Sequence, residues 1–367
     1  MTTAGARVDA CHREISDPAR LPQAPLVSVL MPAYNHGPYL AEAIDSVLMQ
    51  QADFPIELLI GEDCSSDNTR EVALRYQRAH RSVIRVITAD GNVGMHRNHR
   101  RLVDASRGQY LAYCEGDDYW NTPDKLALQV GFLQLDPACG AVHSEFSHIV
   151  RRWGQWRSLP RFQAHRRGRI PDGEVLHDLL AANFIQTCTL LARAEHVRRY
   201  LASSLPVDSY KIVDWPLCLF IGAYCRVGYI DRVLATYRKT PGSATNQGFA
   251  AEIVRARDSM RMASDFCRAF GLPGDVESTA HRNAMKHVLH MAIRLGDAEA
   301  IEEARHWFLH RPPGSLPKLR FRASPVVLSN ALFRFLYRRC IDAIDMLTEW
   351  RTYTEKPVRP VFSETLA

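Results

Sequence analysis

Apolar runs alternate with amphipathic stretches along the first third of the chain. The run VSVLMPA precedes a stretch in which Leu40, Ile44, Val47 and Leu48 recur on one helical face. Three further apolar runs follow at similar intervals. The predicted strands are 27–33, 56–63, 83–88 and 109–114, and the predicted helices are 38–50, 65–76 and 95–106. Consecutive βα units of this length predict an α/β fold with a mostly parallel sheet that is flanked by helices on both faces.

The pattern changes after Asp136. Further strands are predicted in AVHSEFSHIV (141–150) and NFIQTCTLLAR (183–193), and helical patterns dominate from about 250 to 350. The first 25 residues are polar and show no period of 2 or 3.6, which favours a flexible lead-in. We therefore divide the chain into a lead-in (1–25), a main domain (26–245) with halves at 27–136 and 137–245, and a helical C-terminal region (246–367).

Composition narrows the class of protein. With 367 residues, 46% of them hydrophobic, the chain can bury a large core, so a fully disordered protein is excluded. A net charge of +6 suits anionic partners such as nucleotides or lipid phosphates but falls short of a dedicated nucleic-acid binder. The nine cysteines form no CxxC pair, so neither a disulfide framework nor a zinc site is predicted, and a cytoplasmic protein is expected. No apolar window approaches eighteen residues, so neither a secretion signal nor a membrane-spanning helix is expected.

Polar clusters follow each of the four predicted strands. They are PAYNHG, GEDCSSDN, ADGNVG and EGDDYW, in chain order. In a parallel sheet the carboxyl ends of the strands lie on one edge, and ligands bind there. The clusters are therefore expected to converge on one ligand.

The fourth cluster places three carboxylates within four residues. Glu115, Asp117 and Asp118 repel one another unless a cation neutralises them, and Mg²⁺ or Mn²⁺ prefers such oxygen ligands. Because Mg²⁺ commonly takes only one or two protein carboxylates and completes its coordination with substrate phosphates, a diphosphate ligand is indicated. The alternative is a solvated acidic loop that caps a helix beginning near Pro123.

Taken together, these segments resemble the donor-binding half of the family 2 glycosyltransferases, which have the GT-A fold. The resemblance rests on VSVLMPAYNHGPYL, IELLIGEDCSSDN, NVGMHRNHRRLV and GQYLAYCEGDDYWNTPDKL in this order, spans about residues 27–136, and continues more weakly through VDWPLCLFIGAY and VLATYRKTPGS to about 243. It implies an inverting, metal-dependent transferase of the bacterial surface polysaccharide type. Such an enzyme moves a sugar from a nucleotide-diphosphate sugar to a hydroxyl of a glycan or lipid-linked glycan, with Mn²⁺ or Mg²⁺ as cofactor. Residues 27–136 would then be the donor half and 137–245 the acceptor half of the catalytic domain.

The resemblance also implies roles for individual residues. The implied donor-binding residues are Pro32, Ala33, Tyr34, Asn35, Asp63, Asn92, Gly94, Asn98 and Asp117; the implied metal ligands are Asp118 and Asp117; the implied base is Asp214; and the implied acceptor contacts are Trp120, Trp215 and Arg238. The chain departs from the family at two positions. Glu115 replaces the first aspartate of the acidic motif, and Thr240 stands where the family often has a histidine near the diphosphate, with Arg238 or Lys239 as substitutes.

Several of these residues have structural alternatives. Tyr34 can be a core aromatic, Asp63 a turn-forming residue before SSDN, and Asn92–Gly94 a plain turn. The fifteen histidines show no ligand spacing, and His96 and His99 are expected on a helix surface.

The implied base also has a structural alternative. Group transfer to a hydroxyl needs a base near the acceptor oxygen, yet Asp214 followed by Trp-Pro is equally a good helix N-cap. At such a helix N-terminus the pKa of Asp214 is expected to be depressed.

Two basic segments lie outside the donor half. Residues 151–169 carry seven arginines and no acid, which suits a phosphate-bearing acceptor, anionic lipid headgroups or a solvated loop. A helix is predicted at 325–350, where packing on the catalytic domain is weighed against binding at a membrane surface. Peripheral contact with the cytoplasmic face of the inner membrane is therefore a further expectation.

Two rival classes share the nucleotide-binding pattern. A sugar nucleotidylyltransferase would need a basic, Gly-rich loop after the first strand, and PAYNHGPYLAEAI contains no lysine or arginine. A non-catalytic nucleotide-sugar binding module would keep the donor clusters but tolerate the loss of Asp214.

Overall fold

A computed structural model of the protein describes residues 12–310, except 153, 164–169, 241–242 and 244–246. The start of the lead-in (1–11) and the helix predicted at 325–350 lie outside these residues. The strands are β1 (His12–Ile15), β2 (Val27–Ala33), β3 (Ile56–Glu62), β4 (Ile84–Ala89), β5 (Tyr110–Tyr113), β6 (Tyr119–Trp120), β7 (Cys139–Arg152), β8 (Gln155–Leu159), β9 (Leu191–Arg193) and β10 (Arg226–Lys239). The helices are α1 (Leu40–Leu48), α2 (Thr69–Ala79), α3 (Met95–Ala105), α4 (Lys125–Leu135), α5 (Leu176–Ala181), α6 (Ala194–Leu201), α7 (Asp214–Tyr224), α8 (Phe249–Phe270), α9 (Gly274–Leu295) and α10 (Ala298–Leu309). Two 3₁₀ turns, Thr187–Thr189 and Val207–Ser209, complete the described elements.

The strands form one mixed sheet in the order β1-β4-β3-β2-β5-β9-β7-β10-β6, with β8 paired to β7. The predicted donor half supplies the parallel block β4-β3-β2-β5, and β7 and β10 also run parallel. Antiparallel pairings join β1, β6, β8 and β9 to these strands. The predicted α/β class is confirmed.

Apolar side chains cover both faces of the parallel block. Neighbouring residues of β2 point to opposite faces, so Val29 joins one hydrophobic cluster while Leu30 joins the other. Leu58 and Leu59 of β3 divide in the same way. Burial on both faces explains why these strands appear in the sequence as nearly continuous apolar runs.

The predicted lead-in contains an ordered edge strand. Strand β1 pairs antiparallel with β4, and the carboxylate of Glu14 accepts hydrogen bonds from Arg85 at 2.8 and 2.9 Å. The prediction of a flexible lead-in therefore does not hold for His12–Ile15, which form this strand. Most side chains of β1 are exposed, so hydrophobic periodicity could not reveal a strand that backbone pairing and one ion pair hold in place.

The acceptor half differs in detail from the predicted strands. The strand predicted at 141–150 is part of the longer β7, which turns back at Gly154 into β8, so the described part of the basic segment is a β-hairpin. The strand predicted at 183–193 is wrong over most of its length. Only Leu191–Arg193 is a strand, because the chain first makes the 3₁₀ turn Thr187–Thr189, in which the hydroxyl of Thr189 donates to the carbonyl of Gln186 at 2.6 Å.

The helices predicted beyond residue 250 are present as far as Leu309. Helix α8 packs on the main domain through Met262 and Phe266, while α9 and α10 build a third hydrophobic cluster around Val288 and Ala304. Among the described residues, no helix is both long and apolar enough to cross a membrane.

Candidate active site

The polar loops after β2, β3 and β5 meet at one edge of the sheet. The amide of Asp63 donates to the carbonyl of Ala33 at 3.0 Å, and the amide of Gly116 donates to the carbonyl of Pro32 at 3.0 Å. The loops that follow β3 and β5 therefore flank the end of β2. His36, in the loop after β2, lies with Nε2 3.8 Å from Oδ1 of Asp117. The predicted convergence of these clusters is present.

The loop after β2 carries an exposed aromatic ring. Tyr34 is 47% exposed, so the core alternative for this residue is wrong. Asn35 adopts a left-handed backbone with φ +55°, and its side-chain oxygen accepts a hydrogen bond from the amide of Ser66 at 2.9 Å. Pro32 is half-buried and Ala33 is buried beneath the loop. This arrangement leaves the ring of Tyr34 available to a ligand at the rim.

Asp63 joins the loops that follow β3 and β4. Its carboxylate accepts hydrogen bonds from the amides of Val93 and Gly94, both at 2.9 Å, and Nη2 of Arg101 lies 3.5 Å away. Its carbonyl accepts from the side chain of Asn92 at 3.1 Å. The role of Asp63 in binding a base stays a prediction, and its observed contacts hold the third polar cluster against the second.

Asn98 does not face the rim. It is buried, donates to the carbonyl of Gly61 at 2.8 Å and accepts from Nε of Arg101 at 2.8 Å. Both ends of its amide are used inside the protein, and its predicted donor contact stays a prediction. Gly94, with φ +82°, precedes α3 and remains at the rim. The neighbouring His99 is buried against Tyr113, so its predicted surface position is wrong.

The acidic motif is largely buried, and its carboxylates have few partners. Oδ1 of Asp118 accepts from the amide of Arg238 at 2.8 Å, and Oδ2 of Asp117 accepts from the hydroxyl of Thr240 at 2.8 Å. The Oε2 atom of Glu115 is buried without a hydrogen-bond partner. This geometry does not fit a solvated loop, which would leave the carboxylates in water.

Burial raises the pKa of two members of the motif. The pKa of Glu115 rises to about 8, because burial and the charges of Asp117 and Asp214 disfavour its ionised form. Burial and the charges of Asp117 and Glu115 likewise raise the pKa of Asp118. Among the described residues, no lysine or arginine side chain pairs with Asp117 or Asp118. In the part of the chain that the structure describes, the cluster thus concentrates negative charge without a lysine or arginine side chain to offset it.

A divalent cation fits this set of atoms. Mg²⁺ and Mn²⁺ take oxygen ligands, need only one or two protein carboxylates, and would offset the repulsion that raises these pKa values. The described residues contain no group of three or more His, Cys, Asp or Glu arranged as a complete metal cage. Asp117 and Asp118 would therefore share the ion with ligand phosphates and water rather than enclose it.

Asp214 is the first residue of α7 and lies near the acidic motif. Its Oδ2 atom accepts a hydrogen bond from the hydroxyl of Thr187 at 2.9 Å, whereas the cap position belongs to Val213. The N-cap alternative is therefore wrong by one residue. Burial raises the pKa of Asp214 despite opposing hydrogen bonds from Thr187 and Trp215, so the expected depression by the helix terminus is also wrong.

Two of the three predicted acceptor residues are buried and used inside the protein. Trp120 is 1% exposed, and its indole N–H donates to the carbonyls of Tyr113 and Cys188. Arg238 is 3% exposed, and its Nη2 donates to Glu42 at 2.5 Å. Both side chains have partners inside the protein, and their predicted contacts with an acceptor stay predictions.

Arg238 also places its guanidinium among aromatic rings, and its predicted substitution for a phosphate-binding histidine stays a prediction. Its guanidinium lies 4.9 to 5.3 Å from the ring centroids of Tyr39, Tyr119 and Trp156. Trp215 is half-buried and donates to the carbonyl of Leu179 at 2.8 Å, so it supports α5, and its acceptor role stays a prediction.

Sequence reasoning missed Thr187 and the ion pair of Arg238 with Glu42. Thr187 lies in a segment whose apolar residues indicated a strand, so no local signal marked its hydroxyl as a partner of Asp214. Glu42 and Arg238 are 196 residues apart in the chain. Only the fold brings these partners together.

A family model and several known proteins match parts of this chain. The family model described as "Glycosyl transferase family 2" matches residues 28–193. An uncharacterized protein of Mycobacterium tuberculosis is 31% identical over 213 residues, which are 58% of this chain and 58% of that protein. The putative teichuronic acid biosynthesis glycosyltransferase TuaG of Bacillus subtilis is 32% identical over 127 residues, 35% of this chain and 49% of the relative. The matched regions thus span only about half of these relatives' lengths.

Solved structures with the same architecture include two that hold sugar nucleotides. S. aureus TarS 1–349 in complex with UDP-GlcNAc superposes with a TM-score of 0.56 at 16% identity, covering 77% of this chain and 78% of that one. The mannosyltransferase PcManGT of Pyrobaculum calidifontis, in complex with GDP-Man and Mn²⁺, gives a TM-score of 0.51 at 17% identity, covering 88% and 89%. At these identities the likeness establishes the fold, and it confirms the predicted GT-A architecture.

Proposed function

We propose, from the match of residues 28–193 to the glycosyl transferase family 2 model, that the chain is a metal-dependent glycosyltransferase. It moves a sugar from a nucleotide-diphosphate sugar to a hydroxyl of a glycan or lipid-linked glycan in the synthesis of a bacterial surface polysaccharide. One observation carries the proposal: acids from separate loops meet at one edge of the sheet, where Asp117 lies beside His36 and where Glu115 of the same acidic motif is close enough to Asp214 to feel its charge.

The donor binds at the rim formed by the loops after β2, β3 and β4. The exposed ring of Tyr34 covers one face of the nucleotide base, and the backbone around Asp63 and Gly94 contacts its edge. Gly116 allows His36 to pack closely against the acidic motif, because a Cβ at this position would lie 2.9 Å from Nδ1 of His36. The bound UDP-GlcNAc of TarS and GDP-Man of PcManGT support a nucleotide-sugar donor of this class.

Asp117 and Asp118 would hold a divalent ion, Mn²⁺ or Mg²⁺. When bound, such an ion neutralises the charge that develops on the leaving diphosphate. The Mn²⁺ in the PcManGT complex supports this cofactor class. Thr240 holds one oxygen of Asp117 and the amide of Arg238 holds one oxygen of Asp118, so the carboxylates are oriented before any ligand arrives.

Asp214 removes the proton from the acceptor hydroxyl. As the acceptor oxygen forms its bond to the anomeric carbon, the bond from that carbon to the diphosphate oxygen breaks, and the proton passes to the carboxylate of Asp214. A single displacement of this kind inverts the configuration at the anomeric carbon. The raised pKa of Asp214 supports the role, because a more basic carboxylate accepts the proton more readily.

The reaction takes place on the cytoplasmic side, with peripheral contact to an anionic membrane surface. The net charge of +6 supports such contact, and so does the arginine-containing hairpin of β7 and β8. A lipid-linked acceptor would bring its diphosphate to the same face.

The test of the proposed function is nucleoside diphosphate release from UDP-GlcNAc, UDP-glucose and GDP-mannose, with Mn²⁺ and with or without glycan acceptors. We expect the native protein to release the diphosphate faster with acceptor and Asp214→Asn to lose most of this turnover. Asp208→Asn, a change at an exposed aspartate, is the matched control. Undiminished turnover in Asp214→Asn would remove the assignment of the base. Pyrophosphate release from a nucleoside triphosphate and a sugar phosphate would instead indicate a nucleotidylyltransferase.

A further inference from the structure

The 3₁₀ turn Thr187–Thr189 lies between the acidic motif and helix α7. The hydroxyl of Thr187 donates to Oδ2 of Asp214 at 2.9 Å. The same hydroxyl lowers the pKa of Asp214, which burial raises. This hydrogen bond therefore links the proposed base to a turn that lies outside the four polar clusters of the sequence.

Buried side chains hold this turn from the opposite side. The indole N–H of Trp120 donates to the carbonyl of Cys188 at 3.0 Å, and Nε2 of Gln129 donates to the carbonyl of Thr189 at 2.7 Å. Gln129 in turn accepts from Nζ of Lys125 at 2.6 Å, and Lys125 lies 4.3 Å from the Trp120 ring. A hydroxyl on a turn with several fixed backbone carbonyls has little freedom to move.

We propose that Thr187 is a positioning residue that orients the carboxylate of Asp214 toward the acceptor hydroxyl. This inference rests on the proposed function of Asp214 as the base. By donating to Oδ2, the hydroxyl of Thr187 fixes the plane of the Asp214 carboxyl group. Trp120, two residues after Asp118, donates to the carbonyl of Cys188 in the same turn and so links the turn to the acidic motif. The base and the donor-binding acids thus keep a constant relative position.

In the described part of the chain, three titratable groups lie close enough to Asp214 to interact with its charge. These groups are Glu115 in the loop after β5, Tyr200 in α6 and Cys218 in the next turn of α7. Burial raises the pKa of the Tyr200 phenol and of the Cys218 thiol, so both are neutral at pH 7. Thr187 stabilises the charged form of Asp214. Its removal therefore shifts the pKa of Asp214 further upward.

The first experiment compares Thr187→Val, which has the same shape without the hydroxyl, with Thr187→Ser, which restores it. In the nucleoside diphosphate release assay, we expect Thr187→Val to lower kcat roughly tenfold to a hundredfold with little change in the donor KM. The acid limb of its pH profile should move to higher pH, and Thr187→Ser should recover most of the loss. A Thr187→Val enzyme with the native kcat and pH profile would overturn the proposal.

Thr189→Val is the matched control within the same turn. The hydroxyl of Thr189 donates to the carbonyl of Gln186 and not to Asp214. This variant should lose stability without moving the acid limb. Equal shifts in Thr187→Val and Thr189→Val would show a general structural effect and overturn the proposal.

The second experiment needs no donor. Urea unfolding at pH 4.5 and pH 8 is measured for Thr187→Val in the native background and in Asp214→Asn. Because the folded pKa of Asp214 is raised, its favourable contribution is present at low pH and is lost as pH rises, and the valine increases that loss. The cost of Thr187→Val should therefore be larger at pH 8. Because Thr187 also contacts Glu115, the comparison is also made in a Glu115→Gln background, where the difference should persist and should vanish when Asp214→Asn is added.

The two experiments separate failure of this inference from failure of the proposed function. If no sugar nucleotide is turned over but the pH-dependent coupling is present, Thr187 orients Asp214 and the proposed activity is wrong. If turnover depends on Asp214 but the coupling is absent at both pH values, the positioning role is wrong and the function stands.

Discussion

Substitution of Asp63 by asparagine distinguishes a base-binding residue from a residue that holds two loops together. The carboxylate accepts two hydrogen bonds at 2.9 Å, from the amides of Val93 and Gly94, and is almost fully buried. Asparagine keeps the shape of the side chain and one accepting oxygen. Its NH₂ group would face the second amide and leave that donor without a partner.

The magnitude follows from these two contacts. A hydrogen bond to a charged acceptor contributes about 1.5–3 kcal/mol, and a neutral bond contributes about 1 kcal/mol. Asp63→Asn exchanges two charged bonds for one neutral bond and leaves Arg101, 3.5 Å away, without its counter-charge. At the lower end of the charged range, two bonds contribute about 3 kcal/mol and one neutral bond keeps about 1 kcal/mol, so we expect the free energy of unfolding to fall by about 2–3 kcal/mol.

Urea unfolding measures the global effect, and hydrogen exchange measures the local one. The amides of Val93 and Gly94 should exchange roughly 30- to 100-fold faster in Asp63→Asn, as expected for a local opening that is about 2–3 kcal/mol easier. Asp90→Asn, at an exposed residue of the same loop, should leave both amides unchanged. If both amides keep their native protection in Asp63→Asn while a nucleotide sugar no longer stabilises the protein, the residue binds the base directly and the reasoning from its contacts is refuted.

Three further substitutions test other contacts. Arg238→Met should lower the free energy of unfolding by about 2–3 kcal/mol, because it leaves Glu42 unpaired and removes the guanidinium that lies against three aromatic rings; urea unfolding measures this, and a loss of the same size in a protein that already carries Glu42→Gln would contradict it. Trp120→Phe should lower the free energy of unfolding by about 1–3 kcal/mol, because it leaves the carbonyl of Cys188 without this hydrogen bond. It should also lower kcat more than it raises the acceptor KM, and a change confined to KM would support the acceptor role of Trp120. Burial lowers the pKa of Lys125 to about 7, whereas in the unfolded chain Lys125 keeps its proton to about pH 10.5. Between these pH values the unfolded chain binds one proton more than the folded protein. The free energy of unfolding of the unmutated protein should therefore rise from about pH 7 to about pH 10.5 relative to that of Lys125→Met. Parallel curves for the two proteins would show that Lys125 does not titrate in this range.

The parallel half of the sheet could be predicted within a few residues. Strand β2 has the predicted bounds, Val27 to Ala33, and α3 begins at the predicted Met95. Burial on both faces produces apolar runs too regular to miss, and the helices between them have clear apolar faces. The convergence of the polar loops followed from strand direction alone.

Hydrogen-bond partners could not be predicted in the same way. Asn98 and Arg238 have residue types that suit a ligand, yet the fold places both among internal partners. Such partners are distant in the chain, so local patterns carry no information about them. The pKa of Asp214 illustrates the same limit, because burial by the surrounding protein outweighs the local effect of the helix terminus.

The edge strand β1 has a consequence for how separate molecules behave in solution. Without it, β4 would present a row of unpaired backbone amides and carbonyls, which is a template for pairing with another chain. Its register, from His12 opposite Ala89 to Ile15 opposite Val86, covers most of that row. A protein shortened to begin at Val27 would keep every residue of the proposed active site and yet expose the unpaired backbone groups along the edge of β4. It should therefore self-associate and precipitate at concentrations at which the full chain stays in solution.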